Sequence, residues 1–313
     1  MRMYTDTLKA GIARTKEFEK KGLAKYAVNV GSRCGHDCTY CSSPALLRMH
    51  QSFKRLGLNP FERGYAIVDP TAPERVKRDA ARIHTRGLVQ LCTTVDAWSP
   101  EAQEYDLGRK CLKAILSETD WTVRILTKNA AVLNDFDIIE KHKDRVLIGL
   151  SITAPPEKQD MISCIEPNAS PISERIAMMD DAAQRGFRTY AMFCPLMPGI
   201  SDDSECVGQL IQLAESWNAE EIFVEAVNAR ANGLILTQQA LEKAGFYTEA
   251  AKIQEIRNKK VWNSYVVDLI KTVQNSVRQH SSIEKLKILQ YPSSLTTTSI
   301  SMIKQNEAGV IWL

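Results

Sequence analysis

Six short apolar runs, each followed by a stretch of helical period, limit the folds open to this chain. The runs are 26–30, 88–94, 122–127, 146–152, 188–194 and 221–227. They are dense in Val, Ile, Leu and aromatic residues, as strands buried on both faces of a parallel sheet are. Amphipathic segments 73–84, 100–117, 130–141, 173–185 and 203–217 lie between them. Ser99 followed by Pro100 reads as an N-cap with proline in the first helical turn, and Gly186 sits where a helix C-cap is expected. Repeated strand-then-helix units predict an α/β fold with right-handed crossovers. The expected architecture is a partial (β/α)6 TIM-like barrel, with its chemistry at the C-terminal ends of the strands.

After residue 229 the pattern changes. A short helix is predicted over 236–245 and a long one over 247–279; 286–291 reads as a further strand, and the apolar tail 310–313 as packed. We read residues 1–235 as the barrel with an N-terminal helix. Residues 236–313 read as a mainly helical C-terminal extension packed on it, the whole being one structural unit. A length of 313 residues suits one large domain or two small ones.

Hydrophobic residues make up 44% of the chain and charged ones 25%, an ordinary globular balance. No run of roughly 18 apolar residues occurs, so no membrane span is expected. The N-terminal residues contain no apolar stretch of the secretory kind. The expected location is cytoplasmic, with the eight cysteines reduced. A net charge of +3 neither supports nor excludes a nucleic-acid partner.

The most specific chemistry lies in Gly31-Ser-Arg-Cys-Gly-His-Asp-Cys-Thr-Tyr-Cys41. Cys34, Cys38 and Cys41 are spaced C-x3-C-x2-C, with Tyr40 before the third. A four-iron cluster takes four ligands, so three thiolates leave one iron open to a small chelating molecule. Zinc is the competing occupant. It favours four Cys or His ligands, and His36 lies inside the loop, but the second, distant ligand pair of most structural zinc sites is absent. A disulfide framework suits a small secreted domain better than a chain of this length.

The loop resembles the signature of the radical SAM enzymes. Further segments resemble the branch that contains spore photoproduct lyase and its DNA-repair-photolyase-like relatives. They are Leu91-Cys-Thr-Thr-Val-Asp-Ala-Trp-Ser-Pro100, Ile125-Leu-Thr-Lys-Asn129, Gly149-Leu-Ser-Ile-Thr153, Ile165-Glu-Pro-Asn-Ala-Ser-Pro171 with Glu174-Arg175, and Pro195-Leu-Met-Pro-Gly-Ile-Ser-Asp202. The resemblance covers residues 25–235. It implies that Cys34, Cys38 and Cys41 hold a 4Fe-4S cluster and that S-adenosyl-L-methionine (SAM) binds the open iron. It implies reductive cleavage of SAM to a 5′-deoxyadenosyl radical that abstracts hydrogen from a substrate. The implied reaction is lyase-like or repair-like, on a nucleic-acid base. Two alternatives stand beside it: radical modification of a nucleotide, RNA or peptide, and an iron–sulfur electron-transfer or sensor protein without substrate radicals. The implied reductant is a partner such as flavodoxin or ferredoxin.

The resemblance also distributes roles. Tyr40 is placed to contact adenine. Lys128 faces the SAM carboxylate. Thr93, Thr94 and Asp96 stand where related enzymes hold the methionine amino group, although Asp96 could equally cap the helix after Ser99. Ser151 and Thr153 offer hydroxyls for ribose or carboxylate, and Met197 and Gly199 belong to an adenine-contacting segment. Glu166 and Arg175 read as ligand-binding residues or, the favoured reading, as a tie between a loop and a helix. Cys92 precedes a Thr-Thr-Val-Asp run and corresponds to a hydrogen-atom-donating cysteine; the competing reading is a small core thiol. Cys194 is a second donor candidate.

Overall fold

The computed structural model describes residues 1–229 and 232–313; residues 230 and 231, inside the span read as barrel, lie outside the described residues. In chain order the strands are β1 (Arg2–Thr5), β2 (Ala13–Arg14), β3 (Tyr26–Val28), β4 (Gly31–Arg33), β5 (Tyr65–Val68) and β6 (Leu88–Leu91). There follow β7 (Thr122–Thr127), β8 (Val146–Ser151), β9 (Arg188–Leu196), β10 (Ile222–Ala226), β11 (Leu286–Gln290) and β12 (Val310–Trp312). The larger sheet runs β2-β3-β6-β7-β8-β9-β10-β11-β12. Every neighbouring pair from β3 to β12 is parallel, and β2 joins β3 antiparallel.

All six apolar runs are therefore strands, side by side in sequence order. The sheet does not stop at six, however. Segment 236–313 supplies β11 and β12, so it extends the sheet as well as covering it. Leu286, Ile288 and Leu289 are buried there, each 3% exposed.

No ladder closes the sheet into a full barrel among the described residues. The segment between β2 and β3 fills the gap with side chains instead. Leu23 packs among Leu147, Tyr190, Met192, Phe223 and Leu289 on the inner face. The Lys21 ammonium lies 5.1 Å from the ring centroid of Phe18 and 5.5 Å from that of Tyr291, beyond β11. It also pairs with Glu17 at 3.3 Å, and the Tyr291 hydroxyl donates to Glu17 at 3.2 Å.

Deeper inside, Arg124 of β7 lies over the rings of Tyr190 and Phe223, with centroids at 4.6 and 5.3 Å. It pairs with Glu221 at 2.5 Å. Burial pushes the Glu221 carboxyl up, but Arg124 and Lys287 outweigh that and hold it below its usual range. A much larger apolar layer lies on the outer face, between the sheet and its helices.

Three predicted helices are broken. The segment 100–117 divides into Pro100–Gln103 and Leu107–Leu116 at Asp106, which has a left-handed φ of 53°. The segment 130–141 begins as a 3-10 helix, Ala130–Asp135, before Phe136–Glu140. The long C-terminal helix divides into Tyr247–Glu255 and Lys259–His280, the second capped by the Asn258 side chain. β1, β5 and β4 form a second, three-stranded sheet. The sequence reading contains no trace of it. Its strands are three or four residues long and come from separated segments.

Gly149 illustrates how tight the inner face is. A Cβ there would lie 2.4 Å from Cζ of Tyr190. That ring cannot yield, because its hydroxyl donates to the Ile125 carbonyl at 2.8 Å and Arg124 covers its face. Gly149→Ala is expected to lower unfolding free energy by about 1–3 kcal/mol, the usual cost of overpacking. A urea unfolding curve matching that of the unaltered protein would show the ring to be mobile.

Candidate functional site

The cysteine loop follows β4 of the small sheet, which itself comes two residues after β3. Its backbone is irregular, so it is held by partners from across the chain. The Gly35 amide donates to Glu101 at 2.8 Å, and the Gly35 carbonyl accepts from Asn168 at 2.9 Å. The Thr39 amide donates to the Ile165 carbonyl at 2.9 Å, and its hydroxyl meets that of Thr237 at 2.8 Å. Asp37, at a left-handed φ of 51°, pairs with Arg33 and Arg63. A Cβ on Gly35 would lie 2.1 Å from Glu101 Oε2, so any larger residue would displace the Glu101 side chain.

Cys34, Cys38 and Cys41 are free, half-buried thiols lining one cavity. Cys92, Thr93, Thr94, Asp96, Lys128 and Ser151 line the same cavity from the C-terminal ends of β6, β7 and β8. The structure thus gathers most of the residues singled out in the sequence. Tyr40 also lines it. Thr153 stands just behind, fully buried.

Two carboxylates organise this wall. Asp96 accepts from the Thr127 hydroxyl at 2.9 Å, the Lys128 amide at 2.8 Å and the Trp98 amide at 2.9 Å. Its Oδ2 lies 3.4 Å from His36 Nδ1. Glu166, 2% exposed, accepts from Lys128 Nζ at 3.0 Å, Thr153 at 2.5 Å and Arg175 at 2.5 Å. The Tyr40 hydroxyl also donates to it. Burial pushes the Glu166 carboxyl up, but Arg175 and Lys128 outweigh this and hold it well below the carboxylate range. Arg175 donates further to the Ser151 and Ser170 carbonyls, at 2.9 and 2.7 Å. Lys128 Nζ also reaches the Cys194 carbonyl at 3.4 Å, and Ser151 donates to the same carbonyl at 2.9 Å.

Other candidates fall differently. Asn29 fixes the Thr93–Thr94 turn by accepting from both amides, at 3.0 and 2.9 Å. Cys92 is 4% exposed, and burial pushes its thiol well up, so it stays protonated. Half-buried Cys194 approaches Glu225 at 3.7 Å. Met197 is fully buried and does not line the cavity with the cysteines. Gly199 does not line it either; it has φ of 73° and packs against Lys252. Sequence reasoning missed Asn29, Glu101, Asn168 and Thr237. Glu101 in particular reads as an ordinary acid in the first turn of a helix.

Three free thiols on one loop are a donor set that could serve a multi-iron cluster. Among the described residues, no three Cys, His or acidic side chains are drawn together closely enough to hold one metal. Cysteines that bind three different irons do not need that convergence. Burial pushes the Cys34 thiol well up and that of Cys38 to about 12. Thiolates there therefore need a cationic occupant to balance them.

No protein-family model matches the chain. An uncharacterized protein of Acidianus two-tailed virus is 25% identical over 215 residues, covering 66% of this chain and 68% of that protein. An uncharacterized protein of Mycobacterium tuberculosis (strain ATCC 25618 / H37Rv) is 22% identical over 209 residues, covering 66% of this chain but only 59% of its own length. Among solved structures, spore photoproduct lyase complexed with dinucleoside spore photoproduct matches with a TM-score of 0.59 at 15% identity. A spore photoproduct lyase double mutant with bound AdoMet and dinucleoside spore photoproduct matches equally well, and each match covers 89% of this chain and 79% of the other. These structural likenesses establish a shared fold.

Glu166 should be the most sensitive position in the wall. Glu166→Gln leaves the buried Arg175 and the half-buried Lys128 cations without their anion. The expected loss is about 3–5 kcal/mol, as for other broken buried pairs. Thermal and urea unfolding, with exposed Glu174→Gln as control, measure it; equal stability of the two variants would refute the network.

Proposed function

We propose that the chain is a radical SAM enzyme. One observation carries the reading: three free cysteines on one loop line a single cavity with Thr94, Lys128 and Ser151 at the C-terminal ends of parallel strands. The fold shared with spore photoproduct lyase, solved elsewhere with AdoMet bound, supports it. When bound, a 4Fe-4S cluster and SAM supply reductive cleavage and hydrogen abstraction.

The residues present fit that task. Cys34, Cys38 and Cys41 would hold three irons of the cluster. Lys128 and Arg175 together bring two positive charges against the single carboxylate of Glu166. Of the two, Lys128 lines the cavity, where its ammonium would meet the carboxylate of SAM. The Thr94 hydroxyl faces the cavity for the polar groups of the same ligand, and the Ser151 oxygen, its proton given to the Cys194 carbonyl, can accept from them. Tyr40 is fixed by its hydrogen bond to Glu166, so its ring presents a constant face to the cavity.

Cys92 lines the cavity with its thiol protonated, the form a hydrogen-atom donor requires. We assign it that role toward a substrate radical. The proposed substrate is a nucleic-acid base, in line with the dinucleoside bound by the structural neighbours. The proposed electron source is a flavodoxin or ferredoxin, and the proposed location is the cytoplasm. No helix among the described residues is long and apolar enough to cross a membrane.

Anaerobic reconstitution with iron and sulfide, reduction with dithionite and addition of SAM test the reading. We expect about four irons per chain and release of 5′-deoxyadenosine that Cys38→Ala abolishes. Binding of about one zinc per chain and no iron would overturn it. Cys92→Ala should retain iron and SAM cleavage while altering the quenched product. An unchanged product distribution would reduce Cys92 to a packing residue.

A further inference from the structure

The chain's entire formal excess of +3 lies in one stretch of 23 residues. Residues 42–64 contain Arg48, Lys54, Arg55 and Arg63 against Glu62 alone, while the other 36 basic and 36 acidic residues balance. This stretch joins the third cysteine to β5, and it forms part of the surround of the cluster loop. Ser43, Pro44, Phe61 and Arg63 line the same cavity as the three cysteines. Arg33, next to Cys34, donates to the carbonyls of Pro60 and Glu62 at 2.8 and 2.9 Å, which binds the far end of the stretch to the loop.

The same stretch exposes apolar side chains. Met49 is 82% exposed, Leu46 50% and Phe61 37%. Arg48 and Lys54 are exposed and pair with no carboxylate among the described residues. Exposed apolar groups interspersed with unpaired like charges mark a surface that meets another molecule.

We propose that residues 42–64 form the docking surface for an acidic one-electron carrier protein. This rests on the radical reading, because reductive cleavage draws one electron into the cluster at each event. The balance is one electron lost by the carrier and one gained by the cluster, with no atom transferred. The carrier must come close to the cysteine loop, and residues 42–64 adjoin it directly. Arg48 and Lys54 steer an acidic partner, Arg55 and Arg63 being paired with Asp6 and Asp37, and Leu46, Met49 and Phe61 supply the dry contact. A nucleic-acid strand suits the surface less well. Such strands are gripped by rows of aromatic rings, and Phe61 is the single aromatic among its three exposed apolar side chains.

Binding is measurable without turnover. Oxidised flavodoxin, titrated against the reconstituted protein by calorimetry, is the probe. We expect binding that weakens as salt rises from 20 to 300 mM. Arg48→Glu with Lys54→Glu should weaken it roughly tenfold or more, because both rim charges become repulsive. Met49→Asp serves as a second variant that leaves the basic charges in place. Dithionite needs no docking, so dithionite-driven 5′-deoxyadenosine formation should be unchanged in the variants. Equal flavodoxin binding by all the proteins, or none by any, overturns the proposal. So does loss of single-stranded DNA binding in the charge variant with flavodoxin binding intact. Absence of 5′-deoxyadenosine from every protein under dithionite is instead the failure of the radical reading.

Discussion

The buried carboxylate of Glu166 is the interaction on which the site depends. An anion 2% exposed persists only beside cations and donors that replace its water. Glu166 obtains them from four separate places: Tyr40 in the cysteine loop, Lys128 after β7, Thr153 after β8, and Arg175 in the helix Ile172–Gln184. Lys128 and Ser151 then share the Cys194 carbonyl on β9. One charge therefore aligns three strand ends with the loop. Asp96 does the same between β6, β7 and His36. The charges of the cavity wall restrain one another, and the loop inherits its position from that wall.

The inner face of the sheet obeys a related constraint. An open parallel sheet leaves a gap along its unpaired edges, and polar groups inside it must find partners away from water. Leu23 and Phe18 fill the gap with apolar surface, while Lys21 is held by Glu17 and the rings of Phe18 and Tyr291. Further in, Arg124 is stacked on Tyr190 and Phe223 and paired with Glu221. Gly149 is the concession that lets Tyr190 lie flat against β8. The interior is a filled core at its base and becomes a lined cavity only toward the strand C-termini, where the cysteines stand.

Much of this was legible in the sequence because buried parallel strands write themselves as unbroken apolar runs. Val146–Ser151, buried along its whole length, is the clearest case. The cysteine spacing was equally direct, since ligands on one loop are local in sequence. What the sequence concealed depends on distant pairing. β1 meets β5 across some sixty residues, and nothing in Arg2–Thr5 announces that partner. Glu101, Asn168 and Thr237 hold the loop from three remote segments, and each is an unremarked polar residue in its own neighbourhood. The helix breaks at Asp106 and Asn258 came without Pro or Gly, by a left-handed turn and an asparagine cap that periodicity alone does not reveal.

The division of labour among polar residues at the strand ends follows from burial. Asp96 and Thr153 were read as possible ligand groups, yet their hydrogen-bonding capacity is taken up by Thr127, Lys128, Trp98 and Glu166. Such residues set positions. Thr94 and Ser151 line the cavity with hydroxyls, and Lys128 reaches it while sharing its charge with Glu166. Lys128 and Arg175 share the carboxylate of Glu166, and Asp96 is held by its own neutral donors. Lys128 and the cavity-lining hydroxyls are therefore the polar groups open to the cavity, and the carboxylates keep them in place.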